Sequence, residues 1–111
     1  MALQITIYLN EADTWLGRPL HQELLDFLKK KNIAGATLLP TVTGYTRRGK
    51  WFVDTKGKHP VLLTFIDTEQ QIEKVLPTVR KMAGHRLIVS EKVKIEQGLI
   101  SERDEDDLLS E

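Results

Sequence analysis

The chain has 111 residues, 41% hydrophobic and 29% charged, with 16 basic residues balanced by 16 acidic ones and no cysteine. That length holds one domain with one core, and the composition is that of a globular protein. It excludes a disulfide framework, a thiolate metal site and a cysteine nucleophile.

Leu3, Ile5, Ile7 and Leu9 alternate with Gln4, Thr6 and Tyr8, which predicts a first strand with one buried face. Pro19 suits the start of a helix, where its fixed φ helps and its missing N–H costs nothing. Leu20, Leu24, Phe27 and Leu28 then form one apolar stripe, with Glu23, Asp26 and Lys29 to Lys31 on the wet side. Ile33 and Gly35 end that element, and Ala36 to Tyr45 reads as a second strand. Pro40 cannot donate to a ladder, so this strand belongs at an edge or carries a bulge.

Arg47 to His59 is a basic excursion between two β-prone segments, carrying Arg47, Arg48, Lys50, Lys56 and Lys58 against Asp54 alone. Connections of more than about 12 residues inside a compact domain are usually functional or disordered. Trp51 and Phe52 within it are large apolar groups that something is expected to cover. The other reading is a long hairpin arm solvated by its lysines.

Val61 to Ile66 is apolar on both faces and reads as a central strand. Thr68 and Gln71 have the capping-box spacing, and Ile72, Val75, Leu76, Val79 and Met82 mark the buried face of a second helix. Pro77 lies inside it, where an unrelieved proline costs about 3 kcal/mol and predicts a kink. Gly84 stops the helix. Leu87 to Val89 and Val93 to Ile95 supply a last strand, broken near Ser90 and Glu91.

The order β-α-β-β-α-β predicts an α+β, ferredoxin-like fold: a four-stranded antiparallel sheet with two helices on one face. Right-handed crossovers place the first and third strands centrally and the other two at the edges. The domain is expected over residues 1–98. Residues 99–111 hold six acids against Arg103, the pattern of a solvated, disordered tail. No apolar run approaches the roughly 20 residues that cross a bilayer. The N-terminus has no charged region leading an apolar stretch, so the expected compartment is the cytoplasm.

Catalytic chemistry is sparse. His21, His59 and His85 are far apart, with no HxxxH spacing, and neither a P-loop nor a GxGxxG or GxSxG motif occurs. Glu11 and Asp13 read as organisers of the turn before the first helix. Acylphosphatases share this topology, but their arginine-bearing glycine loop after the first strand is replaced by the acidic Asn10 to Trp15. RNA-recognition modules need aromatics on the central strands, and the only ones available, Tyr8 and Phe65, read as core or interface. The expectation is a protein that is not an enzyme.

Ile33-Ala34-Gly35-Ala36-Thr37, followed by Thr43-Gly44-Tyr45-Thr46-Arg47-Arg48-Gly49, resembles the second strand and T-loop start of PII signalling proteins. The opening Ile7 to Trp15, with Gly17-Arg18-Pro19-Leu20 behind it, is similar to a narrower PII-like "domain of unknown function" family. Ile72 to Pro77 fits that family's second helix, and the resemblance spans Leu3 to Ile95. It implies a homotrimer with ligand clefts between subunits, which in PII proteins hold an adenine nucleotide. The matching positions are Gly35, Thr37, Gly44, Tyr45, Arg47, Arg48 and Lys58, then Gly84 and Arg86 as a shortened phosphate loop. Lys94 and Glu96 stand where PII proteins carry two arginines on the last strand. The resemblance further implies that Arg47, Arg48, Lys50, Trp51, Phe52, Lys56 and Lys58 contact a partner protein, a membrane transporter among the candidates. Two other readings stay open: a metal-handling trimer or small enzyme like the CutA proteins, and a nucleic-acid binder using the basic loop.

Overall fold

A computed structural model describes residues 1–47 and 58–98. Strands β1 (Ala2–Asn10), β2 (Thr14–Trp15) and β3 (Arg18–Pro19) lead to helix α1 (Leu20–Lys30), followed by β4 (Gly35–Pro40) and β5 (Pro60–Thr68). Helix α2 (Glu69–Ala83) and β6 (Ile88–Val93) complete the chain order. The main sheet runs β4-β5-β1-β6, all antiparallel, so the first and third long strands are central as the topology predicts. The residues of the basic segment between Arg48 and Gly57, with Lys50, Trp51, Phe52 and Lys56 among them, lie outside the described residues. So does the acidic tail. Among the described residues no helix is long and apolar enough to cross a membrane.

Period-two alternation does its work on β1 and β5. Ile5, Ile7 and Leu9 face the helices with Val61, Leu63 and Phe65, and all six are buried. Leu20, Leu24 and Leu28 from α1 and Ile72, Val75, Val79 and Met82 from α2 close over them. Each such burial contributes about 1.5–3 kcal/mol, which is what orders helices too short to stand alone. Among the described residues, none forms a layer over the opposite face of the sheet, which carries Gln4, Thr6, Tyr8, Leu62, Thr64 and Ile66 on its central strands.

The cap of α2 follows its sequence. Thr68 Oγ1 accepts from the Gln71 backbone N–H at 3.3 Å, and Gly84, with φ of 62°, ends the helix. The helix continues through Pro77, whose ring lies on the exposed side. Just before it, Asp67 is only 1% exposed and accepts from the backbone N–H groups of Ala34, at 3.0 Å, and Thr68, at 2.6 Å. Asp67→Ala is expected to cost about 1–3 kcal/mol in urea denaturation, because it removes the buried acceptor of two part-buried backbone hydrogen bonds. An unchanged denaturation midpoint would show that water replaces the carboxylate at both donors without loss.

Three boundaries differ from expectation. The second strand ends at Pro40 rather than Tyr45. Pro40 offers no N–H, and Thr41 makes the last tie, donating through N and Oγ1 to the Pro60 carbonyl at 3.1 and 2.8 Å. The last strand is a single element, Ile88–Val93, with no break: Ser90 and Glu91 stay in register opposite Ile5 and Gln4. Their polarity is tolerated because an edge strand leaves both side chains exposed. Lys94 and Glu96 consequently fall beyond that strand.

The third difference is a small ribbon where a loop is expected. Thr14–Trp15 pairs with Arg18–Pro19 around Leu16 and Gly17, at φ of 52° and 80°. A two-residue hairpin with both central residues in the left-handed region matches the twist of its strands. Leu16 holds that conformation without glycine's freedom and is 86% exposed.

Candidate functional site

The candidate site grows out of the turn after β1. Asn10 Oδ1 accepts from Ala12 N at 2.8 Å, and the Asp13 carbonyl accepts from Leu20 N at 2.8 Å, fixing the approach to α1. The two carboxylates of this turn then reach in different directions. Glu11 Oε1 accepts from His59 N at 2.8 Å while Glu11 N donates to the His59 carbonyl at 3.0 Å. His59 Nδ1 lies 3.1 Å from the Val42 carbonyl, so an N–H at Nδ1 ties the end of the basic segment to the stretch that precedes it. Asp13 Oδ2 accepts from Asn10 N and from Arg86 Nε, both at 2.8 Å. Both carboxylates are turn organisers, and each also ties a distant segment.

Arg86 follows the turn that closes α2. Its backbone N–H and its Nη1 both donate to the Ala83 carbonyl, at 3.2 and 3.0 Å. With Asp13 on Nε, the guanidinium is held from two sides, and both side chains are 22% exposed. The Nη2 group keeps donors for something else.

Beside it opens a cavity of about 530 Å³ lined by Thr46, Arg47, Arg80, Gly84, His85, Arg86, Leu87 and Ile88. That volume is in the range of small-molecule sites. Three guanidinium groups and an imidazole supply charge and donors, and Leu87 and Ile88 supply an apolar wall. Among the described residues, Arg86 is the one lining cation that carries an ion pair. Such a set suits an anion with a flat or apolar portion, since guanidinium forks match phosphate and carboxylate geometry. Among the described residues, no group of three or more His, Cys, Asp or Glu side chains is placed to hold a metal.

Of the positions named from the sequence, Arg47, Gly84 and Arg86 come together at this cavity. Gly35 and Thr37 lie on β4, at the edge of the sheet opposite β6. Gly44 and Tyr45, just before the basic segment, and Lys58, near its end, do not line the cavity, and Tyr45 is largely exposed. Lys94 is outside it too; its Nζ meets Glu96 Oε1 at 3.7 Å in solvent. Arg48 is outside the described residues. Sequence reasoning missed Arg80 and His85. Arg80 stands one helical turn before Gly84, whose N–H bonds to the Arg80 carbonyl at 2.9 Å. Helical spacing back from the helix stop is the signal that would have found it.

The sequence profile of the DUF190 family, described as uncharacterized ACR, matches residues 2–95. A UPF0166 protein of Methanocaldococcus jannaschii is 33% identical over 76 residues, covering 66% of this chain and 70% of that one. Another, from Aquifex aeolicus, is 28% identical over 96 residues, covering 82% and 90%. Among solved structures, CPII of Thiomonas intermedia K12, a nitrogen regulatory PII-like protein bound to ADP, AMP and bicarbonate, superposes with a TM-score of 0.64. It is 14% identical, over 86% of this chain and 89% of that one. CutA1 from Oryza sativa gives a TM-score of 0.60 at 12% identity, over 86% and 83%. These two likenesses are of fold.

Proposed function

The chain belongs to the DUF190 family, with a PII-like fold, and on that footing we propose that it is a non-enzymatic regulatory protein binding an adenine nucleotide. The observation that carries the reading is the cavity where Arg47, Arg80, His85 and Arg86 converge beside the apolar Leu87 and Ile88. The guanidinium groups would take the phosphates, and the apolar wall the less polar part of the ligand. CPII, of the same fold, is bound to ADP and AMP. Arg48, Lys50, Trp51, Phe52, Lys56 and Lys58 would then serve the partner protein.

A homotrimer belongs to the same proposal. Gly35 and Thr37 sit on one edge strand and the cavity beside the other, so one chain cannot unite the whole set of nucleotide positions. A neighbouring copy can. The sheet face that the described residues leave uncovered favours this, because Leu39 and Val89 are exposed there beside half-buried Leu62, Ile66 and Tyr8. A ring of like subunits buries both that face and the sheet edges.

Calorimetry of the full chain with AMP, ADP and ATP tests the ligand, and light scattering tests the assembly. The expected outcome is a trimer whose thermal stability rises by about 2.7 kcal/mol when a nucleotide is at 100 times its dissociation constant. A stable monomer at micromolar concentration would remove the intersubunit site. Stabilisation by divalent metals alone would favour the CutA-like reading, and salt-dependent capture of mixed-sequence oligonucleotides the nucleic-acid one.

A further inference from the structure

Asp13 is the acidic side chain that the fold brings to the cavity's edge, and it comes from the far end of the sequence. It accepts from Arg86 Nε at 2.8 Å, while Arg86 lines the cavity. Its second bond, from Asn10 N at 2.8 Å, fixes the carboxylate in the turn, so the charge has a defined place. Arg47 and Arg80 have no such partner among the described residues. Among the described residues, the cavity therefore offers three guanidinium charges with one carboxylate set against them.

We infer that Asp13 is a specificity-determining residue, whose carboxylate on Arg86 lowers the cavity's positive charge and selects anions of low charge over polyphosphates. This rests on the reading of the cavity as an anion site, and it names the class of anion. The bond to Nε leaves donors on the Nη groups, so Arg86 is oriented for a ligand rather than consumed. The negative charge stays close by. Its repulsion grows with every charge the ligand adds, and each further phosphoryl group adds about one. Acting over roughly 10 Å at an effective dielectric near 20, with salt screening counted, one carboxylate changes affinity about twofold to threefold per ligand charge.

The test compares dissociation constants of AMP, ADP and ATP, without magnesium, for the native chain, Asp13→Asn and Glu11→Gln. Asparagine keeps an acceptor for Asn10 N and Arg86 Nε but removes the charge. Glu11→Gln removes the same charge from the same turn, where the carboxylate faces His59 instead. The expected result is that Asp13→Asn shifts the AMP-to-ATP affinity ratio toward ATP by about fourfold to ninefold, for the two charges that separate them, with a far smaller shift in Glu11→Gln. A purely structural role for Asp13 would weaken all three nucleotides alike and leave the ratio fixed, which overturns the inference. Equal shifts in the two variants would overturn it as well. Should no nucleotide bind, the same ratio is read with phosphate, pyrophosphate and tripolyphosphate. Binding in that series with the predicted shift would sink the nucleotide reading and keep the role of Asp13; no binding of either series by native or Asp13→Asn protein would end both.

Discussion

Phe65→Ala is expected to lower the free energy of unfolding by about 3–5 kcal/mol. Phe65 is 1% exposed on central strand β5, in register with Ile5 on β1 and Ala36 on β4. Its ring lies on the helix side of the sheet, in the cluster formed with the leucines of α1 and the apolar face of α2. Truncation removes the largest fully buried apolar side chain among the described residues. A sheet pinned on both sides by paired strands cannot collapse to refill that space, so the cavity term adds to the transfer term. Against a total stability of about 5–15 kcal/mol, the variant would sit near its unfolding threshold. Urea denaturation checks this through a fall in midpoint at constant slope. A loss under about 1 kcal/mol would mean that the ring packs against the neighbours loosely enough to be dispensable.

On the proposed nucleotide reading, Arg86→Ala is expected to weaken binding by about 2–5 kcal/mol, the usual consequence of removing a buried charged anchor. Lys74→Ala, on the exposed face of α2, should change it by well under 1 kcal/mol. Arg86 is three-quarters enclosed and already oriented by Asp13 and the Ala83 carbonyl, so little conformational entropy remains to be lost on binding. Arg47 is exposed and should contribute less than Arg86. Because alanine leaves Asp13 without its partner, melting of the unliganded variant must be read in parallel. Equal effects at positions 86 and 74 would move the ligand away from this cavity.

Much of the fold was legible because its signals are local. Ile5, Ile7 and Leu9 alternate, Leu20, Leu24 and Leu28 recur every four residues, and each pattern fits one kind of backbone. Thr68 and Gln71 announced a helix start that the hydrogen bond between them bears out. Pro40 announced an edge strand or a bulge from a missing donor alone, and β4 lies at the edge. The Leu16–Gly17 hairpin was hidden because leucine rarely accepts a positive φ, and no Asn-Gly or Asp-Gly pair advertised it. The unbroken last strand was hidden as well. Ser90 and Glu91 look like a break until β1 supplies a partner for their backbone.

Less of the site was legible. Arg47, Gly84 and Arg86 were named through resemblance, but that Arg80 and His85 join them depends on the path of the chain over the end of the sheet. The sequence by itself determined which faces are apolar, where the helices begin and end, and hence the α+β topology, since these follow from periodicity and backbone chemistry within a few residues. Only the tertiary structure decided that Asp13 serves Arg86 and Glu11 serves His59. Those pairs are 73 and 48 residues apart. A carboxylate in a turn carries no mark of its partner, which is chosen when strand pairing brings the ends of β1 and α2 together.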